Sequence, residues 1–600
     1  MRGSQIPIIS GLKKNFRPSA ILSLIVAALA VWLPALRNGF VWDDTALVLR
    51  DPLIRSWRLI PEGFRHFLFT DATASNFYRP VQRLSYTFDY DLFAFNAWGW
   101  HLTSILLHAA AAVALFLCAA RWLEKWNPAG KKNPLLAWIA ALAWAVHPVH
   151  SAAVVYVSGR ADVLAALFGF LALFFAARTP DEKNPRGSEL PAALCFLAAM
   201  LSKESGAMAL VIWLAVLVAT RDFCRLRRWT IFAMAILTVY CSLRFSAENT
   251  PPPADAPTRI AARPILMARA VAEYAGLLAA PTNLHMERNL LALDHGDNVR
   301  LIRDATMREY QTLLGIALVI GLGVWLRWTR KKLPAAFLFL VAFLLAYLPV
   351  SNLFSLNANA AEHWLYFGSA FLFVATALSI DAAPLPQRPL AVAVGIWIAC
   401  LGARSFVRCG DWKNQRTFLE STAMCGGDNA RVEINLGLLE SSEGRQKIAI
   451  AHFENALRES PDQPFALLGL ASAQMRSHHY DKAREILPRA EKNPLIRADA
   501  LQSSAVLDWQ QNRATRTDLL KKSALASPKI WSVQKRYITY LDQRGQTLEA
   551  ISELRALLER EPFRADSWKL LADLLAKIGR PGFAAAARER AGELDVHLGE

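Results

Sequence analysis

This sequence predicts an all-α protein: a polytopic membrane helix bundle followed by an α-solenoid. Three observations lead there. Apolar residues fall in blocks of roughly 15–20, the length a helix needs to cross a bilayer. Of a net charge of +17, +14 lies in residues 1–404, in short loops between those blocks. Beyond residue 430 the pattern becomes a helical-pair repeat with a period of about 34 residues.

The composition agrees. The chain is 54% hydrophobic, with 19 Trp and 31 Phe. Basic residues confined to inter-block loops follow the positive-inside pattern of membrane proteins and argue against nucleic-acid binding. None of the seven Cys forms a C-x-x-C pair, so a zinc or thioredoxin-type site is not indicated. Cys409 and Cys425 lie outside the apolar blocks and can pair if their region faces an oxidising compartment.

Arg2, Lys13, Lys14 and Arg17 precede the first apolar run, 20–36, which reads as an uncleaved first span with its N-terminus inside. Asp43 and Asp44 then lie outside, at the membrane boundary, where carboxylates are costly and usually functional. In the long loop that follows, Trp57, Ile60, Phe64, Phe67 and Leu68 recur at helical spacing and predict an interfacial amphipathic helix. Further spans are expected near 102–120, 134–146, 162–177, 190–202, 205–220, 229–245, 311–327, 333–350, 364–380 and 389–403. Lys131, Lys132, Lys183 and Arg186 fall in inside loops. The block 264–281 contains Arg269 and Glu273; counting it as a span would invert the charge rule for Arg327 to Lys332, so it reads as an outside interfacial or re-entrant helix. The result is about 11 spans with the C-terminus outside.

In the C-terminal part Gly444, Ala449, Phe453, Ala456 and Pro461 occupy small, small, large, small and breaker positions. Ala483, Leu487 and Ala490 repeat them, as do Gly545, Ala550, Leu554 and Pro562, and then Trp568, Leu571, Ala572, Gly579, Ala584 and Ala591. The unit around 498–528 is degenerate. Stacked pairs of this kind form a solenoid whose groove suits extended peptides.

By this topology, set from hydropathy and charge alone, the chemistry-bearing residues share the outer side. Asp43 or Asp44 can serve as a general base while its neighbour orients it; the alternative is a solvated acid pair or helix cap. Arg79 and Arg160 offer planar donors for phosphate, with an interfacial or loop role as the alternative. Lys203, beside Glu204, is a third phosphate candidate or half of a turn ion pair. His147 and His150, with Asp162 nearby, suggest phosphate or metal contact, but two His are too few to define a metal site. Glu362 and His363 open a span from outside. His101 and His108, seven apart, read as bundle packing.

Gly39-Phe40-Val41-Trp42-Asp43-Asp44, Tyr78-Arg79-Pro80, His147-Pro148-Val149-His150, Gly159-Arg160-Ala161-Asp162-Val163-Leu164, Lys203-Glu204 and Ala361-Glu362-His363-Trp364-Leu365-Tyr366 occur in that order before the repeats. This ordered set, covering nearly the whole chain, resembles the transmembrane and tetratricopeptide-repeat-containing O-mannosyltransferases, C-type (GT-C) membrane glycosyltransferases, in a bacterial-like form. The resemblance implies a polyprenyl-phosphate sugar donor, with mannose as the sugar, and transfer on the non-cytoplasmic face. It implies catalysis at Asp43 and Asp44, donor phosphate at Arg79, Arg160, Lys203 and His363, and support from Tyr78, His147, His150, Asp162, Glu204 and Glu362. His363 stands where the family often has Arg. No cofactor is called for, and a divalent cation is left open. The expected organisation is a transferase domain at 1–404, a linker at 405–429 and repeats at 430–600 that bind an acceptor polypeptide. The membrane would be the bacterial inner membrane, or the endoplasmic reticulum in a eukaryote. Two alternatives stand beside this: a transferase acting on a glycolipid or surface polysaccharide, and a non-enzymatic scaffold for an envelope complex.

Overall fold

The computed structural model describes residues 16–70, 76–126, 134–178, 188–247, 262–288, 290, 298–354, 356, 358–426, 429–511 and 517–598. Arg2, Lys13, Lys14, Lys131, Lys132, Lys183 and Arg186 lie outside them. Helix dominates. Among the described residues the sheet is a single two-residue pairing, Glu287–Arg288 antiparallel to Ala360–Ala361. The chain forms two compact units, one of residues 1–39, 97–240 and 258–413, the other of 40–96, 241–257 and 414–600.

The first unit is the apolar bundle. Among the described residues seven helices are long and apolar enough to cross a membrane, eight if the pair Pro134–Ala145 and Pro148–Val154, bent by 54°, is one span. Glu189–Ser202, Glu204–Ala219 and Pro334–Val350 are apolar but shorter. All eleven segments read as spans are therefore helical, while length and composition support seven or eight crossings rather than eleven. The block at 264–281 is the helix Arg263–Ala279, outside that set.

Small residues set the packing. A Cβ on Gly159 would stand 2.2 Å from the Ala152 carbonyl oxygen, and one on Gly206 2.2 Å from that of Ala199, so these helix starts press on neighbouring backbone. Several polar side chains bond across the bundle. Trp32 Nε1 donates to Ala145 O (3.0 Å) and Trp144 Nε1 to Tyr366 O (2.9 Å). His108 bonds Tyr366 Oη (2.6 Å) and Ala145 O (2.8 Å), the packing role expected of it. By contrast Leu313, Ile320 and Val324 on the helix Asn298–Lys332 are left exposed, as lipid-facing residues are.

The second unit contains five helix pairs: Asn429–Ser442 with Gln446–Glu459, Pro464–Arg476 with Tyr480–Glu491, Arg497–Gln510 with Thr517–Ala526, Trp531–Gln543 with Thr547–Arg560, and Ala565–Lys577 with Pro581–Leu594. The degenerate stretch is thus an ordinary pair. Gly444, Gly545 and Gly579 take positive φ (82°, 79° and 71°) in three of the intra-pair turns, and His478 takes the same conformation (60°) in a fourth. Phe453 lies against the glycine backbone of both adjacent helices: a Cβ on Gly437 or Gly469 would fall 2.8 or 2.3 Å from its ring. Ahead of the array, Gln415–Met424 is a helix with an Asn414–Thr417 capping box.

The outer loop belongs to this second unit. The amphipathic helix expected from Trp57 to Leu68 is a correction. Only Ile60–Arg65 is α-helical, and His66 is extended. Arg83 is the reason: its guanidinium donates to the carbonyls of Gly63 (2.9 Å), His66 (3.1 Å), Phe67 (2.8 Å) and Leu68 (2.8 Å), and its Nε to Asp51 Oδ2 (3.0 Å). Of the apolar stripe, Phe67 and Leu68 are buried, Ile60 and Phe64 half-buried and Trp57 exposed. Leu53 and Leu59 are buried with Phe563, Ala565 and Leu594 of the last repeat.

Candidate active site

Asp43 and Asp44 sit where the chain enters a turn. The backbone oxygen of Asp43 accepts from the N–H groups of Ala46 and Leu47, both at 2.9 Å, which starts a short π-helix, Thr45–Leu49. Adjacent side chains diverge, and here they do so into different environments. Asp44 is fully buried, and its Oδ2 accepts from the Val41 N–H (3.1 Å). Asp43 is half-buried. Asp44 thus braces the turn, and Asp43 is the more accessible of the two carboxylates.

Tyr78 and Arg79 lie in the same unit. Tyr78 is buried and donates to Phe64 O (2.9 Å), a structural tie. Arg79 is half-buried, its guanidinium over the Phe77 ring at 4.7 Å.

The other candidates lie in the first unit. Arg160 is fully buried, donating to Ser104 Oγ (3.1 Å) and Trp100 O (2.8 Å). Lys203 donates to both oxygens of Asp162, at 2.6 and 2.7 Å, so two motifs far apart in sequence meet in one ion pair. Glu204, half-buried, opens a 3-10 turn, Glu204–Gly206. His147 is held by Leu278 O (3.1 Å) and by the Val149 N–H (3.2 Å). His150 packs on Tyr366 and Trp144, and neither of its ring nitrogens has a hydrogen-bond partner among the described residues. Glu362 is fully buried, accepting from Ser151 Oγ (3.3 Å) and Arg408 Nη2 (3.4 Å). His363 follows it in the turn Glu362–Trp364.

Two charged clusters went unread in the sequence. Arg408 bridges Glu362 and Asp411 (2.7 Å). Glu273 accepts from His285 (3.1 Å), Arg288 (2.7 Å) and Gln311 (2.8 Å). Burial alone would raise the Glu273 carboxyl, but the His285 bond and the Arg288 charge outweigh it and bring it down to about 2. A charge in an apolar helix was the available signal. Among the described residues no three His, Cys, Asp or Glu side chains form a metal-binding group, and no disulfide joins any of the seven Cys. The suggested Cys409–Cys425 bond is therefore absent; Cys409 Sγ donates instead to Ser405 O (3.4 Å).

Residues 442–504 match the tetratricopeptide repeat family. The chain is similar to Protein O-mannosyl-transferase F38B6.6 of Caenorhabditis elegans, 24% identical over 76% of this chain and 65% of that protein. It is 26% identical to Protein O-mannosyl-transferase TMTC4 of Homo sapiens over 73% of this chain and 66% of the relative. The chain is thus similar over most of its length to proteins named protein O-mannosyl-transferases. It spans just under two-thirds of the length of these relatives. A shorter stretch, 25% of the chain, is 32% identical to the mouse protein TMTC1 and covers 16% of it. Among solved structures, ArnT from Cupriavidus metallidurans aligns with 78% of this chain and 79% of its own chain at 12% identity, with a TM-score of 0.40.

Proposed function

We propose that this chain is a multi-pass membrane glycosyltransferase. It moves a hexose, mannose by analogy with its named relatives, from a polyprenyl-phosphate donor to a Ser or Thr hydroxyl of a polypeptide on the non-cytoplasmic face. The observation that carries the reading is the division of labour in the acidic pair: a half-buried Asp43 beside an Asp44 committed to its own turn. The Asp43 carboxylate takes the acceptor hydroxyl proton as the oxygen attacks the anomeric carbon. The bond from that carbon to the phosphate oxygen breaks, the sugar inverts, and the lipid phosphate leaves with the electron pair.

Arg79 and Arg160 offset the charge that develops on the phosphate, with Lys203 and His363 in support. A phosphate leaving group needs little protonation, so these cations stand in for a general acid. Tyr78, His147, His150, Asp162, Glu204 and Glu362 hold the surrounding backbone and side chains. Residues 1–404 form the transferase domain, 405–429 the connection and 430–600 the array that presents the acceptor.

The test is Asp43→Asn in full-length protein supplied with undecaprenyl-phosphate mannose and a Ser/Thr-rich polypeptide. Transfer falls by on the order of 10²-fold or more, the contribution of a positioned base, while membrane insertion is retained. Wild-type transfer by this variant removes the mechanism. A glycoproteomic comparison of cells with and without the protein identifies the acceptor; a change confined to glycolipid or polysaccharide moves the proposal to that substrate class.

A further inference from the structure

The backbone immediately before Asp43 is unusual. Trp42 sits at φ 52°, a left-handed conformation that a bulky side chain keeps only where its surroundings hold it. Three residues hold it. The Trp42 N–H donates to Gln415 Oε1 at 2.7 Å. The indole meets the Phe418 ring edge-on, with centroids 5.4 Å apart and planes at 77°. The Arg431 guanidinium lies over the indole at 5.7 Å.

Gln415 and Phe418 lie on the helix Gln415–Met424 that precedes the array, and Arg431 on the array's first helix, Asn429–Ser442. These helices are themselves fixed. The capping box pins the first, Phe418 is buried, and Arg416 ties it to Glu440 of the second and to Glu443 in the turn that follows, both at 2.8 Å. The far end of the array grips the same loop: Val596 N–H donates to Arg55 O (3.2 Å) and Tyr90 Oη to Asp595 Oδ1 (2.7 Å). The loop bearing the carboxylate is therefore held by both ends of the array.

We propose that Gln415, Phe418 and Arg431 are positioning residues for Asp43, so that the connecting helix Gln415–Met424 and the first helix of the array aim the carboxylate through Trp42. The inference rests on the reading of Asp43 as the base. Trp42 and Asp43 share a peptide unit, so rotation of the Trp42 backbone out of the left-handed region swings the carboxylate off its line to the acceptor hydroxyl. General-base transfer depends steeply on that line.

The experiment uses full-length protein in lipid nanodiscs, with undecaprenyl-phosphate mannose and a Ser/Thr-rich polypeptide. Gln415→Leu keeps the side chain's bulk and removes the acceptor for the Trp42 N–H; Gln415→Glu restores an oxygen. Gln415→Leu lowers kcat by on the order of 10²-fold, the cost of a misplaced reacting group, with both KM values unchanged. Gln415→Glu recovers most of that loss. Phe418→Leu, which keeps the buried face filled, lowers kcat in the same direction. In a Trp42→Gly background, where φ 52° carries no strain and the ring is gone, Gln415→Leu costs nothing further.

A wild-type kcat in folded Gln415→Leu or Phe418→Leu overturns the proposal. So does a loss confined to the acceptor KM, or penalties that add in the double variant. Asp43→Asn separates the two readings. If it transfers normally the base assignment falls; if it is inactive while Gln415→Leu keeps full kcat, the base stands and the positioning role falls.

Discussion

At the scale of single residues, burial sorts the acidic pair. A carboxylate as buried as that of Asp44 is kept for the bond it makes, and Asp44→Ala frees the Val41 N–H and loosens the turn. We expect that variant to lose about 1–3 kcal/mol of stability, read as a lower thermal midpoint, whereas Asp43→Asn leaves the midpoint near wild type and removes transfer. Arg83 is the counterpart among cations. Arg83→Met leaves Asp51, itself buried, without its ion-pair partner and abandons four carbonyls. Breaking a buried pair costs about 3–5 kcal/mol, so limited proteolysis should cut residues 50–70 far faster in this variant; an unchanged cleavage rate contradicts the assigned role. Neither the Asp44 bond nor the Arg83 set was legible in sequence, because each depends on which backbone groups a fold leaves unpaired.

At the scale of elements, periodicity did well where one helix face is buried along its whole length. The repeat positions carried by Phe453, Ala449 and Ala456 are all fully buried, as their spacing required. Gly469→Ala sets a methyl 2.3 Å from the Phe453 ring, and overpacking of this kind costs about 1–3 kcal/mol; calorimetry of the variant should show a lower repeat transition. The same helices carry an acid-sensitive contact. A hydrogen bond from Arg445 and a second from Arg416 hold the Glu440 carboxyl down at about 2, below its ordinary 4.5. A depressed carboxyl contributes stability above its unfolded value and loses it as pH falls from 4.5 toward 2. Glu440→Gln should therefore flatten the acid unfolding curve in that window while lowering stability at neutral pH; an unchanged acid limb shows that the pair is not coupled to folding. Periodicity failed from Trp57 to Leu68, where the apolar spacing predicted one continuous helix and only Ile60–Arg65 is α-helical. Phe67 and Leu68 are buried, but in the second unit, on a backbone drawn out of helix by Arg83.

At the scale of the whole molecule, the loop of residues 40–96 belongs to the compact unit that also holds the repeats. Removing the chain from Phe563 onward strips Leu53 and Leu59 of their apolar cover. We expect such a truncation to leave the bundle inserted and make the loop protease-sensitive; a loop still protected would mean that the last repeat does not hold it. Hydropathy, charge asymmetry and repeat period by themselves determined the helical class, the eleven apolar segments, the array and the ordered motifs, because each is a property of local spacing. Only tertiary structure decided that Lys203 pairs with Asp162, that Asp44 turns inward while Asp43 does not, and that Trp42 is gripped by Gln415, Phe418 and Arg431. The Lys203–Asp162 pair and the Trp42 contacts join residues tens to hundreds apart in the chain, and which polar groups meet depends on where packing leaves a donor facing an acceptor, a fact that no local pattern encodes.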